Sequence, residues 1–351
     1  KVAAEKIPSW WEIEKIWYPK HLSLEQCSSE ITARYKARLL QGDSLTDLTG
    51  GFGIDCSFLA TGFKSATYVE RQEELCEIAA HNFPVLNLNH INIKNEDGVT
   101  YLQAMSPVDC LFLDPARRNE HGGKTVAISD CEPNVAELEE LLLQKANRVM
   151  IKLSPMLDLS LALKELKQTQ EVHILSVNNE CKELLILLGQ TSPAEISIHC
   201  VNLFTKGTQK EQHFVFTREQ EQCSECTYTD SLETYLYEPN ASLLKAGAFR
   251  SIAAAYPVRK LHPNSHLYTS DTFIENFPGR IFRIVNQCSF NKKEVKENLA
   301  DLKKANVTVR NFPATVAELR KRIHLAEGGD TYLFASTLNN GQKVLIRCEK
   351  V

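Results

Sequence analysis

Apolar positions repeat with two different periods along the chain. Near its start, residues 8–17 carry a helical spacing that presents Trp10, Trp11 and Trp17. Residues 23–40 (SLEQCSSEITARYKARLL) spell a longer helix, with Ser23 at its N-cap, Gln26 in the capping-box position and Gly42 closing it. From Leu45 the pattern changes. Strands are predicted at 45–49, 66–70, 91–94, 108–113 and 148–153, and helices at 54–61, 72–82, 98–104, 135–146 and 159–168. The apolar runs 171–178 and 183–189 are joined by NNEC alone, short enough for a hairpin, whereas each earlier strand pair needs a helical crossover. The alternation predicts an α/β fold: a mostly parallel sheet with helices on both faces, ending in an antiparallel hairpin. Runs 195–204 and 212–217 extend that sheet or begin another layer.

Residues 218–230 (REQEQCSECTYTD) are polar and aperiodic, and are read as a linker. Beyond them the pattern gives helix 240–256, strand 281–286, helix 291–304, strand 306–311, helix 314–324 and strands 331–337 and 343–349. That order matches a small ferredoxin-like α/β module. The expected division is a helical N-terminal segment (1–42), an α/β domain (43–217), a linker (218–230) and a C-terminal module (231–351).

Composition adds limits. A length of 351 residues suits about two domains, and 43% hydrophobic with 24% charged residues is ordinary for a globular chain. The net charge of −4 supplies no global field for nucleic acid, so any such contact needs a local basic patch. Eleven scattered cysteines, an odd number, suggest a reducing compartment. The N-terminus lacks a signal-peptide layout, and no apolar run approaches the ~20 residues of a membrane span. A cytoplasmic location is expected. The chain begins at a lysine, which leaves residues upstream open.

Chemistry concentrates in Asp47-Leu48-Thr49-Gly50-Gly51-Phe52-Gly53-Ile54-Asp55, between a predicted strand and a predicted helix. Glycines there let the backbone turn sharply and approach a ligand. Three acidic sites follow in order: Glu70 at the end of the next strand, Asp97 in NEDG, and Asp114-Pro115-Ala116-Arg117-Arg118 after the fourth strand. All fall at strand C-terminal ends, where open α/β sheets bind ligands.

With these motifs in place, residues 21–190 resemble the class I S-adenosylmethionine-dependent methyltransferases, which have a Rossmann-like sheet with a terminal antiparallel hairpin. DLTGGFGID, LDPARR and NNECKELL together are similar to a bacterial group with a C-terminal THUMP-like or ferredoxin-like domain, whose start resembles residues 237–271. The resemblance implies that Asp47, Thr49, Gly50, Gly51 and Gly53 line the methionine end of S-adenosylmethionine. Glu70 with Arg71 would hold the ribose, Asp97 with Gly98 the adenine, and Asp114 would lie beside the methyl group. Asp114, Pro115 and Arg117 form the expected transfer site, with Asp114 orienting the acceptor. RNA, either tRNA or rRNA, is the expected partner. Amino-methylating relatives have an aromatic residue two places after this proline; Arg117 stands there, and it leaves the target atom open.

Other readings stand beside these. G-G-x-G after D-x-T departs from the G-x-G-x-x-G of nicotinamide and flavin sites. Methylation at pyrimidine C5 needs a cysteine, and neither DPARRNEHGGK nor IKLSPMLD has one; Cys131 lies farther along. Lys152 and Ser154 could line the substrate pocket. Glu70 and Asp97 could be plain helix N-terminal acids. Arg117 and Arg118 could grip phosphate or pair with Glu120 or Asp130, and His121–Lys124 reads as a loop over the site. For Gln26 and Ser28 a capping role is simpler than a cofactor contact. Cys223 and Cys226 lack the second half of a zinc site, and no metal is expected. The tryptophans pack domains or stack on bases. The run Lys292, Lys293, Lys296, Lys303 and Lys304, with Arg310, Arg320, Lys321 and Arg322, is a phosphate-tracking face or a solvated one, since Glu294, Glu297 and Asp301 interleave with it. A small-molecule or protein methyltransferase, and a non-catalytic cofactor-binding module, remain alternatives.

Overall fold

The structure, a computed structural model, describes residues 1–117 and 127–351, with residues 21–23 and Arg117 described by their backbone alone. Arg118, Glu120 and the His121–Lys124 loop lie outside the described residues. The chain divides into two compact units, Lys1–Glu211 and Gln212–Val351. No helix among the described residues is long and apolar enough to cross a membrane.

Unit 1 opens with short helices: α1 (Val2–Lys6), α2 (Pro8–Trp11), α3 (His21–Gln26) and α4 (Glu30–Ala37). The single helix expected over 23–40 is therefore two, and Ser23 lies inside the first instead of capping it. The break has a physical cause. Lys6 Nζ donates to the carbonyls of Leu24 (3.4 Å), Glu25 and Cys27 (2.8 Å), satisfying carbonyls at the end of α3. The expected helix 8–17 is only the four residues of α2. Trp10 is buried edge-on against Phe52, whereas Trp11 and Trp17 are more than half exposed, Trp17 stacking on His81.

The main sheet then follows: β1 (Ser44–Asp47), α5 (Ile54–Ala60), β2 (Ser65–Glu70), α6 (Glu73–Val85), β3 (Ile91–Asn95), α7 (Gly98–Ala104), β4 (Val108–Leu113), α8 (Val135–Lys145), β5 (Ala146–Leu153), α9 (Leu159–Glu165), β6 (Thr169–Val177), β7 (Glu180–Gly189) and β8 (Ser197–Leu203). A two-residue ladder pairs Ala116–Arg117 with Cys131–Glu132 between β4 and α8. The strand order is β9-β8-β6-β7-β5-β4-β1-β2-β3, with β9 (Glu211–Phe216) as the edge strand. β1 to β5 pair in parallel, and β7 runs antiparallel to both β5 and β6. Asn178 and Asn179, both at positive φ (50° and 66°), make the tight turn between β6 and β7. Leu184–Leu188 are wholly buried, as a central strand covered on both faces requires. The core beneath the sheet joins Leu45, Tyr68, Cys110, Phe112, Met150 and Leu185 to Cys56, Leu59 and Phe83 of the helices.

Unit 2 holds a seven-stranded sheet. Its order is Arg259–Lys260, Tyr268–Ser270, Tyr235–Pro239, Gly279–Ser289, Lys343–Lys350, Ala326–Thr337 and Lys304–Val309. The first three strands are absent from the sequence pattern; Arg259–Lys260 and Tyr268–Ser270 are too short to show a period. The helix expected over 240–256 is two, Ala241–Ala246 and Phe249–Ala255, broken at Gly247, whose φ of +74° lies in the left-handed region. The segment 218–230, expected as a linker, starts with helix Arg218–Cys223. There Glu221 accepts the backbone N–H groups of Phe249, Arg250 and Ser251. Helices Lys292–Leu299 and Val316–Ile323 complete the unit.

Candidate active site

β1 ends in Asp47, and the chain turns through a glycine loop into α5. Gly53, the N-cap of α5, has φ +86°, which L side chains seldom adopt. Tyr68 of β2 supports the loop from below: its hydroxyl donates to the Gly51 carbonyl, and a Cβ on Gly50 would lie 2.3 Å from its ring. Thr49 ties the loop to the end of β4. Its Oγ1 accepts the Asp114 backbone N–H at 2.6 Å, and its own N–H donates to Asp47 Oδ1 at 2.9 Å.

The loop lines a cavity of about 830 Å³ at the C-terminal ends of β1, β2 and β4. The structure brings Asp47, Thr49, Gly50, Gly51, Gly53, Glu70, Arg71, Asp97, Gly98 and Asp114 to its wall. Pro115 is buried and is not among the lining residues; the next residue, Ala116, is.

The acids differ in what they already hold. Asp47 is buried, its Oδ2 has no hydrogen-bond partner, and burial pushes its carboxyl well above the usual carboxylate range. Glu70 accepts the Gly51 N–H on one oxygen (2.8 Å) and the Gln72 N–H on the other (2.9 Å), so it braces the loop. Asp97 caps α7: Oδ2 accepts the N–H groups of Val99 (3.1 Å) and Thr100 (2.9 Å). The helix N-terminal role weighed for Asp97 is thus present, on one oxygen only.

Asp114 carries a partner that sequence spacing did not reveal. Lys152 Nζ lies 2.6 Å from Asp114 Oδ2 and 3.8 Å from Asp55 Oδ2. Burial raises the Asp114 carboxyl and the Lys152 charge opposes that rise. Burial likewise works against the charge on Lys152, but Asp114 and Asp55 outweigh it and hold its pKa above the ordinary lysine value. Asp55, the last letter of the glycine motif, also lines the cavity. Burial disfavours its ionised form, yet Lys36 and Lys152 outweigh that and hold the carboxyl below the usual range. Neither Lys152 nor Ser154 is among the residues lining the cavity; the half-buried Ser154 accepts the Met156 N–H at 3.2 Å.

Sequence reasoning undervalued the N-terminal helices. Gln26, Cys27 and Ser28 line the cavity, and Ser28 Oγ donates to Asp55 Oδ2 at 2.6 Å, a contact in place of the expected cap. Glu132, Pro133, Asn134 and Glu137 form another part of the wall. They sit in an irregular stretch and at the start of α8, where periodicity carries no signal; Asn134 is recognisable only as the α8 cap.

Elsewhere in unit 1, an open cleft of about 660 Å³ at the opposite strand ends is lined by Arg38, Asp43, Asp109 and Arg148. Arg148 also bonds Glu171, which meets His173 and His199 in the one grouping of metal-ligand type found among the described residues. His173 is already bonded on both ring nitrogens, to Tyr35 and Glu171, and that contact holds the Glu171 carboxyl down to about 2.

Comparison with known proteins separates the two units. A ferredoxin-like domain family matches residues 235–278, and a THUMP domain-like family matches residues 279–350. No curated protein matches significantly. Among solved structures, a Porphyromonas gingivalis W83 protein classed as a methyltransferase is 37% identical, with a TM-score of 0.90 over 99% of this chain and 87% of its own. A Streptococcus mutans protein classed as a methyltransferase and solved with SAH aligns over 46% of this chain and 96% of its own, with 12% identity and a TM-score of 0.33. An rRNA methylase from Streptococcus thermophilus aligns over 45% of this chain and 93% of its own, with 15% identity and a TM-score of 0.33. The full-length likeness to the Porphyromonas protein, the sheet order and the two C-terminal matches agree: this chain belongs to the methyltransferase family of that protein, with a ferredoxin-like and THUMP-like C-terminal region.

Proposed function

We propose that the protein transfers a methyl group from S-adenosylmethionine to a nucleobase in structured RNA, with Asp114 orienting the acceptor. The observation that carries the cofactor reading is the bare Oδ2 of Asp47. A buried carboxylate oxygen beside a glycine loop is a costly feature unless a cation meets it. The ammonium of the cofactor's methionine end suits that oxygen. Glu70 would accept the ribose hydroxyls while it braces Gly51, and the second oxygen of Asp97 would accept the adenine amino group. When bound, S-adenosylmethionine supplies an electrophilic methyl group. The chain's part is then to hold the acceptor in line with that group. Asp114 does this by accepting a hydrogen bond from the acceptor, and its own backbone is fixed through Thr49.

The RNA reading is supported by the THUMP-like match and by the charges of unit 2. Lys292, Lys293 and Lys296 are exposed on helix Lys292–Leu299. The interleaved acids are partly withdrawn: Glu294 is tied back to the Ser289 N–H and to Asn291, and Asp301 pairs with Arg347. Glu297 stays exposed among them, so three outward lysines stand against one outward acid on this helix, a local excess of positive charge that can meet a phosphate backbone.

The test is incubation with radiolabelled S-adenosylmethionine and total RNA from cells lacking the gene. Label should appear in a discrete RNA band, and Asp114→Ala should abolish it while cofactor affinity changes little. Undiminished transfer by that variant would remove Asp114 from its role. Cofactor binding with no labelled RNA would remove RNA as substrate.

A further inference from the structure

Behind Asp114 runs a row of charges that no local motif announces. In order it is Glu183, Lys36, Asp55, Lys152 and Asp114, acid and base alternating. Lys36 Nζ lies 2.6 Å from Glu183 Oε2 and 2.9 Å from Asp55 Oδ1. Lys152 Nζ continues the row, 3.8 Å from Asp55 Oδ2 and 2.6 Å from Asp114 Oδ2. Ser28 braces its middle, donating to Asp55 and accepting from Lys36 at 3.0 Å. The Lys36 side chain is wholly buried and that of Lys152 is 11% exposed, whereas that of Asp114, at the cavity end, is 37% exposed.

Withdrawing four charges from water is a poor way to gain stability, since well-packed apolar residues usually serve as well or better. An alternating row that opens into a ligand cavity at one end is a functional arrangement on physical grounds. Its chemistry narrows the role. Lys152 stays charged at neutral pH because two carboxylates flank it, so it cannot accept a proton from a substrate. Asp114 is fixed at both ends, by Thr49 at its backbone and by Lys152 at Oδ2. Among the described residues, no hydrogen bond engages its Oδ1.

We propose that Lys152 is the positioning residue of the transfer site: it pins one oxygen of the Asp114 side chain and leaves Oδ1 to receive a hydrogen-bond donor of the methyl acceptor in the cavity that Asp114 lines. Asp55 and Lys36 hold Lys152 in turn, so the aim of the site is set partly from α4. This inference rests on the reading of Asp114 as the orienting group.

The test uses the full chain with Lys152→Met, Lys152→Arg and Asp114→Asn. Aspartate labelled with carbon-13 at Cγ reports the titration of Asp114 directly, the signal being assigned by its loss in Asp114→Asn. In Lys152→Met that titration should move up by about one unit or more, as expected when a close opposite charge is removed, and Lys152→Arg should restore it. Binding of S-adenosylhomocysteine, followed by calorimetry, should stay within about twofold, because the residues proposed to bind it are unchanged. Transfer to total RNA should fall about 100-fold in kcat for Lys152→Met with little change in KM, as for a misplaced acceptor, and Lys152→Arg should recover most of it. If Lys152→Met does not fold, Lys152→Gln, which keeps a donor without the charge, carries the same measurements. An unmoved Asp114 titration overturns the proposal, and so does a moved titration with undiminished transfer. Wild-type transfer by Asp114→Asn overturns instead the reading of Asp114 on which it rests. If the wild type labels no RNA, the RNA reading fails, while the titration still decides whether Lys152 governs Asp114.

Discussion

Asp47 has one oxygen bonded to the Thr49 N–H and one with no partner, and burial raises its carboxyl far above the usual range. A cation arriving at the bare oxygen favours the ionised form, so binding should expel a proton. S-adenosylhomocysteine titrated calorimetrically in two buffers of different ionisation enthalpy should give different heats; equal heats would argue against Asp47 as the ammonium partner. Affinity should rise with pH until the free carboxyl is itself ionised. Asp47→Asn, which keeps the shape, should weaken binding at least about tenfold, or ~1.4 kcal/mol. The same shift has a sign in stability. A carboxyl raised on folding favours the folded state below its unfolded pKa, and that contribution is lost as pH rises through the folded value. Asp55, lowered on folding, does the opposite: its contribution is present above its unfolded pKa and is lost as pH falls through the folded one. Urea unfolding from pH 3 to 8 should therefore show opposite changes of slope for Asp47→Asn and Asp55→Asn. The position of Asp47 was legible from its place before the glycines. Its missing partner was not, because that depends on the burial of the whole cavity wall.

Elements carry two tasks at once here. Asp97 caps α7 and lines the cavity, so Asp97→Ala should cost about 1 kcal/mol in the ligand-free protein, as the loss of a helix cap does, before any effect on ligand is counted. Asp97→Ser, which can still cap, should recover that stability but not ligand affinity; chemical denaturation and calorimetry separate the two. Gly98, the next residue, touches the preceding loop: a Cβ there would stand 2.2 Å from the Leu48 carbonyl oxygen. Gly98→Ala should destabilise by about 1–3 kcal/mol through overpacking, read as a lower urea midpoint at unchanged slope. Repeated strand–helix units and the Asn178-Asn179 hairpin were legible because their signals are local. The split between α3 and α4 was not, because Lys6 and Asp55, which satisfy it, stand outside the segment. The strands Arg259–Lys260 and Tyr268–Ser270 are too short to show a period at all.

At the scale of the molecule, the cavity is lined only by residues of unit 1, and the THUMP-like match falls only in unit 2. Scanning calorimetry should then resolve two transitions. S-adenosylhomocysteine at 100 times its Kd should stabilise the transition of unit 1 by ~2.7 kcal/mol and leave the other in place. One transition, shifted as a whole, would mean that the units unfold together. The sequence pattern changes after residue 217, whereas the chain divides into its two compact units at Glu211. The partnership of Lys36, Asp55, Lys152 and Glu183 was beyond the sequence, for it joins residues as much as 147 positions apart. That partnership bears on how the gene can change. Each charge in the row is balanced by its neighbours, so a single replacement strands a buried charge beside it. Drift at these codons should be concerted: lineages that give up Lys36 should also have given up Glu183 or Asp55, and isolated losses should be rare survivors.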